Sequence, residues 1–359
     1  MGGAESMLVH LAGGLRARGH YVEFLGPANG SGWLATRLQQ VDVPFRGLPL
    51  GRVRWSPVAE LRRALADMGA DVLHSHMIGL AVFGALATAG SPVRHVITMH
   101  GTGRETSAAR RRWALRGALR ASAAGLAVSD GLRRELRELI GPAADRMLVL
   151  PNGVPEHAGA REATRRTLGL RDDELLVLAV GNLYHNKAHA VLLDALARVP
   201  ANVPWRLAIA GRREEAAPVL EARIAALGWE HRVHLLGPRS DIADLLAACD
   251  VYAMPSLREA LPMALLEAMR SGAAIIASAV GGIPEAIRAQ QDGVLVPPGD
   301  APALGDGLTR LLSDVALRRR LGGSARSRAR AEYGVEQMIS AHEALYYQVA
   351  GQATPSSLA

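Results

Sequence analysis

Short runs of apolar residues alternate with longer amphipathic segments along nearly the whole chain of 359 residues. The first half predicts strands at 21–25, 71–75, 94–99, 124–128 and 147–150. The second half predicts strands at 175–180, 206–210, 233–236, 251–254, 273–277 and 293–296. Helix-length segments between them include 4–18, 56–68, 107–120, 187–198, 214–227 and 262–270, and the stretch 301–350 reads as helices alone. This rhythm is typical of parallel sheets covered by helices on both faces, and it occurs twice.

The sequence therefore predicts an α/β protein of two Rossmann-like, doubly wound domains, and the length of the chain suits two domains. Turn-forming residues at 151–155 (Pro-Asn-Gly-Val-Pro) mark the boundary. We assign 1–155 to the N-terminal domain, 156–334 to the C-terminal domain, and 335–359 to a helix that packs back toward the N-terminal domain. Ligands of such sheets lie at the carboxyl ends of the strands, so we expect the domains to face a cleft.

The start of the chain breaks the rhythm. A Gly-Gly turn and a helix open the sequence, whereas a strand normally precedes such a helix. We therefore expect the first N-terminal strand, of about ten residues, to be missing from this sheet. Such a loss would deprive the neighbouring strands of their ladder hydrogen bonds.

The composition indicates where in the cell the protein is expected and which classes of partner it can bind. The one cysteine, Cys249, permits no intramolecular disulfide, and we see neither a signal peptide nor a membrane-spanning run, so we expect a cytoplasmic protein. The net charge of +7 suits nucleic acid, an anionic membrane or an anionic small substrate. We expect no nucleic-acid partner, because aromatic residues are few and no nucleic-acid-binding pattern occurs.

Lysine occurs once, as Lys187, among 41 basic residues. The bias toward arginine reflects the genome more than the fold. A single lysine retained against it suggests a site that needs a compact ammonium group, although chance is the alternative.

Two carboxylates, Glu259 and Glu267, lie eight residues apart around a helix that Pro262 is suited to begin. Glu267 is flanked by apolar residues, where a carboxylate is costly unless hydroxyl groups such as those of ribose bond to it. The N–H groups at the start of the helix, near 261–264, favour a phosphate. The alternative is an ordinary helix preceded by a turn glutamate.

This stretch resembles the retaining glycosyltransferases of the large family four, which have the GT-B fold. The resemblance covers most of the chain in the expected order. Its motifs are Gly2-Gly3-Ala4-Glu5, Arg18-Gly19-His20, Asp71-Val72-Leu73-His74-Ser75-His76, Thr98-Met99-His100-Gly101, Pro151-Asn152-Gly153, Val180-Gly181-Asn182-Leu183 with Lys187, Asp250 to Ser256, Glu259 to Gly272, Gly281 to Glu285, and Gly293 to Gly299.

The resemblance implies a role for each matching residue. Lys187 would contact the donor diphosphate, Glu259 the donor sugar, and Glu267 the ribose. His100, from the N-terminal domain, would reach the donor sugar near the reacting carbon. The Gly2-Gly3 turn would let backbone approach the phosphate or the acceptor closely.

The backbone from Ala260 to Pro262 would contact the phosphate or sugar, with N–H groups offered by Leu261 and its non-proline neighbours. Ala260 stands where the family usually has glycine, and a methyl group there would limit the backbone. Asn182 stands where the family usually has a second diphosphate-binding arginine, and it brings no charge. Arg212 would compensate, as would Arg213 or His185.

The implied reaction transfers a hexosyl unit from a UDP- or GDP-sugar to a glycan or lipid-linked acceptor with retention and without a metal. No two aspartates stand two apart as metal-using transferases require, and Asp172-Asp173-Glu174 reads as a solvated turn. We expect no cofactor, since Lys187 and a helix N-terminus can meet the charge of the leaving phosphate. The alternatives are a nucleotide-sugar epimerase or phosphorylase on the same scaffold, or a non-catalytic relic that binds sugar nucleotides.

Segment 107–120 is an arginine-rich amphipathic helix that carries Trp113. Such helices suit peripheral contact with an anionic membrane, and a solvated helix is the alternative. His74 and His76 are interpreted as packing groups rather than metal ligands, and the sequence predicts no zinc site at His185 and His189.

Overall fold

The computed structural model describes residues 2–27, 32–48, 56–102 and 104–353. The chain forms two compact units. The N-terminal unit comprises the residues up to Gly153 together with those from Val335 onward, and the C-terminal unit is Val154–Gly334. All strand pairs in the described residues are parallel, so both units have the predicted α/β character.

The strands of the N-terminal unit form two sheets. They are β1 (Phe24–Pro27), β2 (Phe45–Leu48), β3 (Val72–His76), β4 (Arg94–Met99), β5 (Ala124–Ala127) and β6 (Leu148–Val149). Among the described strands, β1 pairs with β2 alone, whereas the others form a sheet in the order β3-β4-β5-β6. The first strand, predicted at 21–25, is wrong in position, since 21–23 precede β1. β2 was not predicted, because its sequence, FRGL, is short and only partly apolar.

Helices cover these sheets. They are α1 (Gly3–Ala17), α2 (Gly32–Gln40), α3 (Ser56–Met68), α4 (Ile78–Thr88), α5 (Arg104–Ser107), α6 (Ala109–Ala121) and α7 (Asp130–Ile140), and a 3-10 helix spans Gly141–Arg146. Leu25 of β1, Leu48 of β2 and Leu73 of β3 pack with Leu61 and Leu65 of α3 in one hydrophobic cluster. The two sheets therefore share a core although β1 and β3 are not hydrogen-bonded to each other.

The C-terminal unit has one sheet in the order β12-β11-β10-β7-β8-β9. Its strands are β7 (Leu175–Val180), β8 (Trp205–Ala210), β9 (Val233–Gly237), β10 (Val251–Met254), β11 (Ala274–Ser278) and β12 (Val294–Val296). The chain leaves β7 toward β9 on one side and returns with β10 on the other. The strand order thus reverses between β7 and β10, which is the switch point where ligands of such sheets bind.

Helices lie around this sheet and complete the chain. They are α8 (Arg161–Thr167), α9 (His189–Leu196), α10 (Ala217–Ala226), α11 (Ile242–Ala248), α12 (Met263–Ser271), α13 (Ile283–Ala286), α14 (Ala301–Ser313), α15 (Val315–Glu332) and α16 (Val335–Ala350). α16 belongs to the N-terminal unit and packs on α1. β10 and β11 are buried along their whole length, as expected for central parallel strands.

Two sequence predictions in this unit are wrong. Lys187 does not begin a helix: it ends a 3-10 turn (His185–Lys187), Ala188 is left-handed with φ 50°, and α9 begins at His189. Glu174 is not part of a solvated turn, since it is buried and its Oε1 accepts a bond from Arg206 Nε at 2.9 Å.

Candidate functional site

Two loops meet at the switch point of the C-terminal sheet, one after β7 and one after β10. Lys187 Nζ, on the first loop, donates to Glu259 Oε1, on the second, at 2.5 Å. Ser256 Oγ donates to the same oxygen at 2.7 Å, and Leu257 N donates to Asn186 O at 2.8 Å. The single lysine therefore forms an ion pair at the edge where a ligand is expected, and both of its members are largely shielded from solvent.

Glycines allow these loops to approach closely. A Cβ on Gly181, directly after β7, would contact the Lys187 methylene groups at 3.5 Å, so the lysine side chain lies along this glycine. A Cβ on Gly211, directly after β8, would meet Gly181 O at 2.0 Å, which no side chain can tolerate. The backbone after β7 and β8 is thus packed tightly beneath the ammonium group.

A third loop, after β11, supports Glu259 from the other side. Gly281 is left-handed, with φ 54°, and a Cβ there would lie 1.8 Å from Glu259 O. Gly282 N donates to Ala260 O at 2.6 Å. Ala260 does not adopt positive φ. Its methyl group therefore causes no backbone strain. Alanine in place of the family's usual glycine does not distort the chain at this position.

Helix α12 begins one residue later than predicted, at Met263, with Pro262 as its N-cap in an extended conformation. Leu261 is buried and holds the preceding loop against the core. The first N–H groups of α12 have no carbonyl in their own helix, so they provide donors at the carboxyl edge of the sheet. Glu267 lies on the second turn, as predicted, and burial raises the pKa of its carboxyl group.

Asn182 and Arg212 are joined through the backbone. Asn182 Oδ1 accepts a hydrogen bond from Arg212 N at 3.0 Å. The Arg212 guanidinium pairs with Glu214 and also bonds to Tyr184, and these contacts raise the pKa of Arg212. Arg212 therefore lies beside the Lys187 loop, with its charge directed toward Glu214.

The remaining predicted site residues belong to the N-terminal unit. Gly2 is the N-cap of α1, and its N–H donates to Glu5 Oε2 at 2.8 Å, while Gly3 is the first helical residue. A Cβ on Gly2 would meet only Glu5, at an ordinary contact distance of 3.6 Å. The fold therefore does not require a glycine at position 2.

His100 follows β4 and lies in a cluster of histidines. His76 Nδ1 and His100 Nε2 are 2.9 Å apart and share one hydrogen bond. His74 is bonded at both ring nitrogens, to Tyr346 OH at 2.6 Å and to Thr98 Oγ1 at 2.7 Å. Burial lowers the pKa of His100 to about 4 and the pKa values of His74 and His76 well below the ordinary range. These imidazoles are therefore neutral at physiological pH.

The structure thus brings together Lys187, Glu259 and the loop from Ala260 to Pro262 in the C-terminal unit. It adds Ser256, which the sequence motif contained but which was not assigned a role. It also adds Tyr346, which lies on α16 and is 272 positions from His74 along the chain. No local signal marks Tyr346, because only the fold brings this helix to β3.

Among the described residues, no three His, Cys, Asp or Glu side chains are grouped so that they could hold a metal ion. In the same part of the chain, none of the helices combines the length and the apolar character that crossing a bilayer requires.

The sequence matches two protein families, Glycosyltransferase Family 4 over residues 1–157 and Glycosyl transferases group 1 over residues 160–328. It is 31% identical to the phosphatidyl-myo-inositol mannosyltransferase of Mycobacterium leprae, over 89% of this chain and 86% of that protein. It is 28% identical to the N-acetyl-alpha-D-glucosaminyl L-malate synthase of Bacillus anthracis, over 97% of this chain and 94% of that protein.

Among solved structures, Anabaena HepE in complex with UDP superposes with a TM-score of 0.86 and 23% identity, covering 97% of this chain and 96% of HepE. Its complex with UDP-glucose gives a TM-score of 0.84 and 24% identity, covering 98% and 95%. The matched families span both units of the chain, and the fold agrees along almost its whole length. The chain therefore belongs to the family-four (group 1) glycosyltransferases and is a transferase of the GT-B fold.

Proposed function

We propose that this glycosyltransferase moves a hexosyl unit from a UDP- or GDP-sugar to a glycan or lipid-linked acceptor, with retention and without a metal. The observation that carries the proposal is the Lys187–Glu259 ion pair at the switch point, where the loops after β7, β10 and β11 pack together. The UDP and UDP-glucose complexes of HepE and the names of the relatives support a nucleotide-sugar donor.

The donor's diphosphate would take the place next to Lys187 and the first turn of α12. An ammonium group and helix N–H groups both favour negative charge. Glu267, on the second turn, would accept bonds from the ribose hydroxyls, which are the partners a half-buried carboxylate needs. Ala260 to Pro262 would add backbone contacts, and Asn182 and Arg212 would border the diphosphate.

In the proposed reaction, the bond between the anomeric carbon and the diphosphate oxygen breaks while the acceptor oxygen bonds to the same carbon from the same side. The acceptor proton passes to the leaving phosphate, whose charge Lys187 stabilises. His100 would contact the sugar, and Gly2-Gly3 the phosphate or acceptor. A nucleophilic Glu259 is less favoured, because Lys187 and Ser256 already bond to its Oε1.

The acceptor side of the proposal includes contact with an anionic membrane through α6. Arg110, Trp113 and Arg120 are exposed and lie on one face of this helix, and the side chain of Trp113 is 74% exposed. An indole between two arginines suits the lipid headgroup region. Vesicles with and without anionic lipid provide the test: Arg120→Glu should reduce only the binding to anionic vesicles, whereas Trp113→Ala should reduce any vesicle binding.

Calorimetry tests the donor site. UDP and GDP are titrated with EDTA present into the wild type, Lys187→Ala and Glu267→Gln. We expect one nucleotide to bind and each variant to lose roughly 10- to 100-fold in affinity, as for a charged hydrogen bond. Glu174→Gln is the matched control, because this buried carboxylate precedes β7 at the opposite end of the strand. No binding to the folded wild type, or equal loss in the control, would contradict the assignment.

The rival functions differ in their products. An epimerase would change the donor sugar without releasing nucleotide, and a phosphorylase would require free phosphate. A non-catalytic relic, which Asn182, Ala260 and the expected missing strand would suggest, would bind nucleotide without turnover. Nucleotide release that depends on a defined acceptor distinguishes the transferase from all three.

A further inference from the structure

The histidines beside β3 and β4 form an ordered stack. The rings of His74 and His76 have centroids 4.1 Å apart, and those of His76 and His100 are 5.2 Å apart and tilted by only 26°. His74 is fixed at both nitrogens by Thr98 and Tyr346. His76 therefore lies between a ring that cannot turn and His100, to which it is hydrogen-bonded.

The hydrogen bond to His76 uses Nε2 of His100, and Nδ1 of the same ring takes no part in it. His100 Nδ1 is buried, and within the described ranges it has no hydrogen-bond partner. An unpaired buried nitrogen carries a free-energy cost. A hydroxyl group of a ligand would recover this cost, provided that the ring keeps its orientation.

The turn after His76 is strained. Met77 has φ 80° and ψ 149°, a conformation that only glycine adopts readily, although its side chain is largely exposed. The surrounding structure therefore imposes the direction in which the chain leaves β3. Such strain is typical of functional turns, and here it follows directly on the residue that contacts His100.

We propose that His76 is a positioning residue: it holds Nε2 of His100 and so directs Nδ1 toward a hydroxyl of the transferred sugar. This inference rests on the proposed function. The neutral neighbours suit the task. His74 lies against His76, Tyr346 bonds to His74, and His342 lies 5.9 Å from His74 between ring centroids. A positive charge on any of these imidazoles would oppose the oxocarbenium-like charge that develops on the sugar during transfer.

The kinetic test compares His76→Phe, which keeps a flat ring without the bond, with His76→Asn, whose amide lies near the position of Nδ1. We expect His76→Phe to lower kcat roughly 10- to 100-fold, with the nucleotide Kd unchanged, and His76→Asn to restore most of it. The double variant His76→Phe/His100→Phe should be no slower than His100→Phe, because the two residues act as one unit. His95→Leu, which removes a different buried imidazole, located on β4, is the control.

Nitrogen NMR of histidine in the full chain gives a readout independent of turnover. In the wild type we expect His100 to occupy one neutral tautomer, and in His76→Phe a mixture of both. An unchanged His100 signal, or additive losses in the double variant, would overturn the inference. If the wild type instead binds no nucleotide and consumes no UDP-glucose or GDP-mannose, the proposed function fails, while the NMR result still decides the role of His76.

Discussion

Replacing Gly281 with alanine tests whether the loop after β11 supports the donor site. The new Cβ would lie 1.8 Å from Glu259 O, and contacts under 3.0 Å do not occur, so the Glu259 backbone must move by about 1.2 Å. Alanine in the left-handed region costs about 1–2 kcal/mol. Overpacking adds about 1–3 kcal/mol. We therefore expect Gly281→Ala to lose about 2–5 kcal/mol of unfolding free energy.

The matched control is Gly228→Ala, in the same unit. Gly228 has φ 64°, but a Cβ there would meet nothing within 4 Å. It therefore isolates the backbone strain, about 1–2 kcal/mol, from the steric displacement. Urea denaturation gives both losses, and calorimetry gives the nucleotide affinity, which should fall about tenfold in Gly281→Ala only. Equal destabilisation of the two variants, or unchanged affinity in both, would refute the proposed support of Glu259.

Three further predictions concern strain, pH and thiol reactivity. Met77→Gly should stabilise the protein by about 1 kcal/mol, because relief of strain outweighs the added chain entropy; a lower melting temperature would contradict this. His95 and His100 have pKa values lowered to about 4 in the folded chain. On acidification, the unfolded chain therefore binds protons at these residues at a higher pH than the folded chain does. Stability should therefore fall from pH 6.5 toward 4 by up to about 1.4 kcal/mol per pH unit for each, and pH-dependent melting of the wild type and His95→Leu measures this slope. Burial raises the pKa of the Cys249 thiol to about 12, so a disulfide reagent should label it only after unfolding, and rapid labelling of the folded chain would contradict this.

The sequence was most informative where strands are buried on both faces. Continuous apolar runs predicted β7 and β10 with the bounds that the structure has. β2 escaped prediction because an arginine and a glycine interrupt its short apolar pattern. The strands of the N-terminal unit belong to two sheets, with β1 in one and β3 in the other. This division depends on which strands are hydrogen-bonded to each other, and the periodicity along a single strand does not reveal that.

The sequence proposed residues for the candidate site, but it did not predict the contacts among them. Spacing singled out Glu259 and Glu267 and composition singled out Lys187, each with a structural or chance alternative, and the family resemblance supplied their roles. The left-handed Ala188, which ends the turn that presents Lys187, opposes the helix preference of alanine, so local propensity does not predict it. The pairing of His74 with Tyr346 joins opposite ends of the chain, so no local pattern could predict it.

The ion pair of Lys187 with Glu259 can also be followed by NMR through a label on this lysine. Because Lys187 is the only lysine, reductive methylation with labelled formaldehyde would place a carbon-13 probe on one side chain, apart from the chain's terminal amine. Dimethylation keeps the positive charge. A diphosphate that displaces Glu259 from this ammonium would change a single resonance, so donor occupancy could be followed without knowledge of the acceptor.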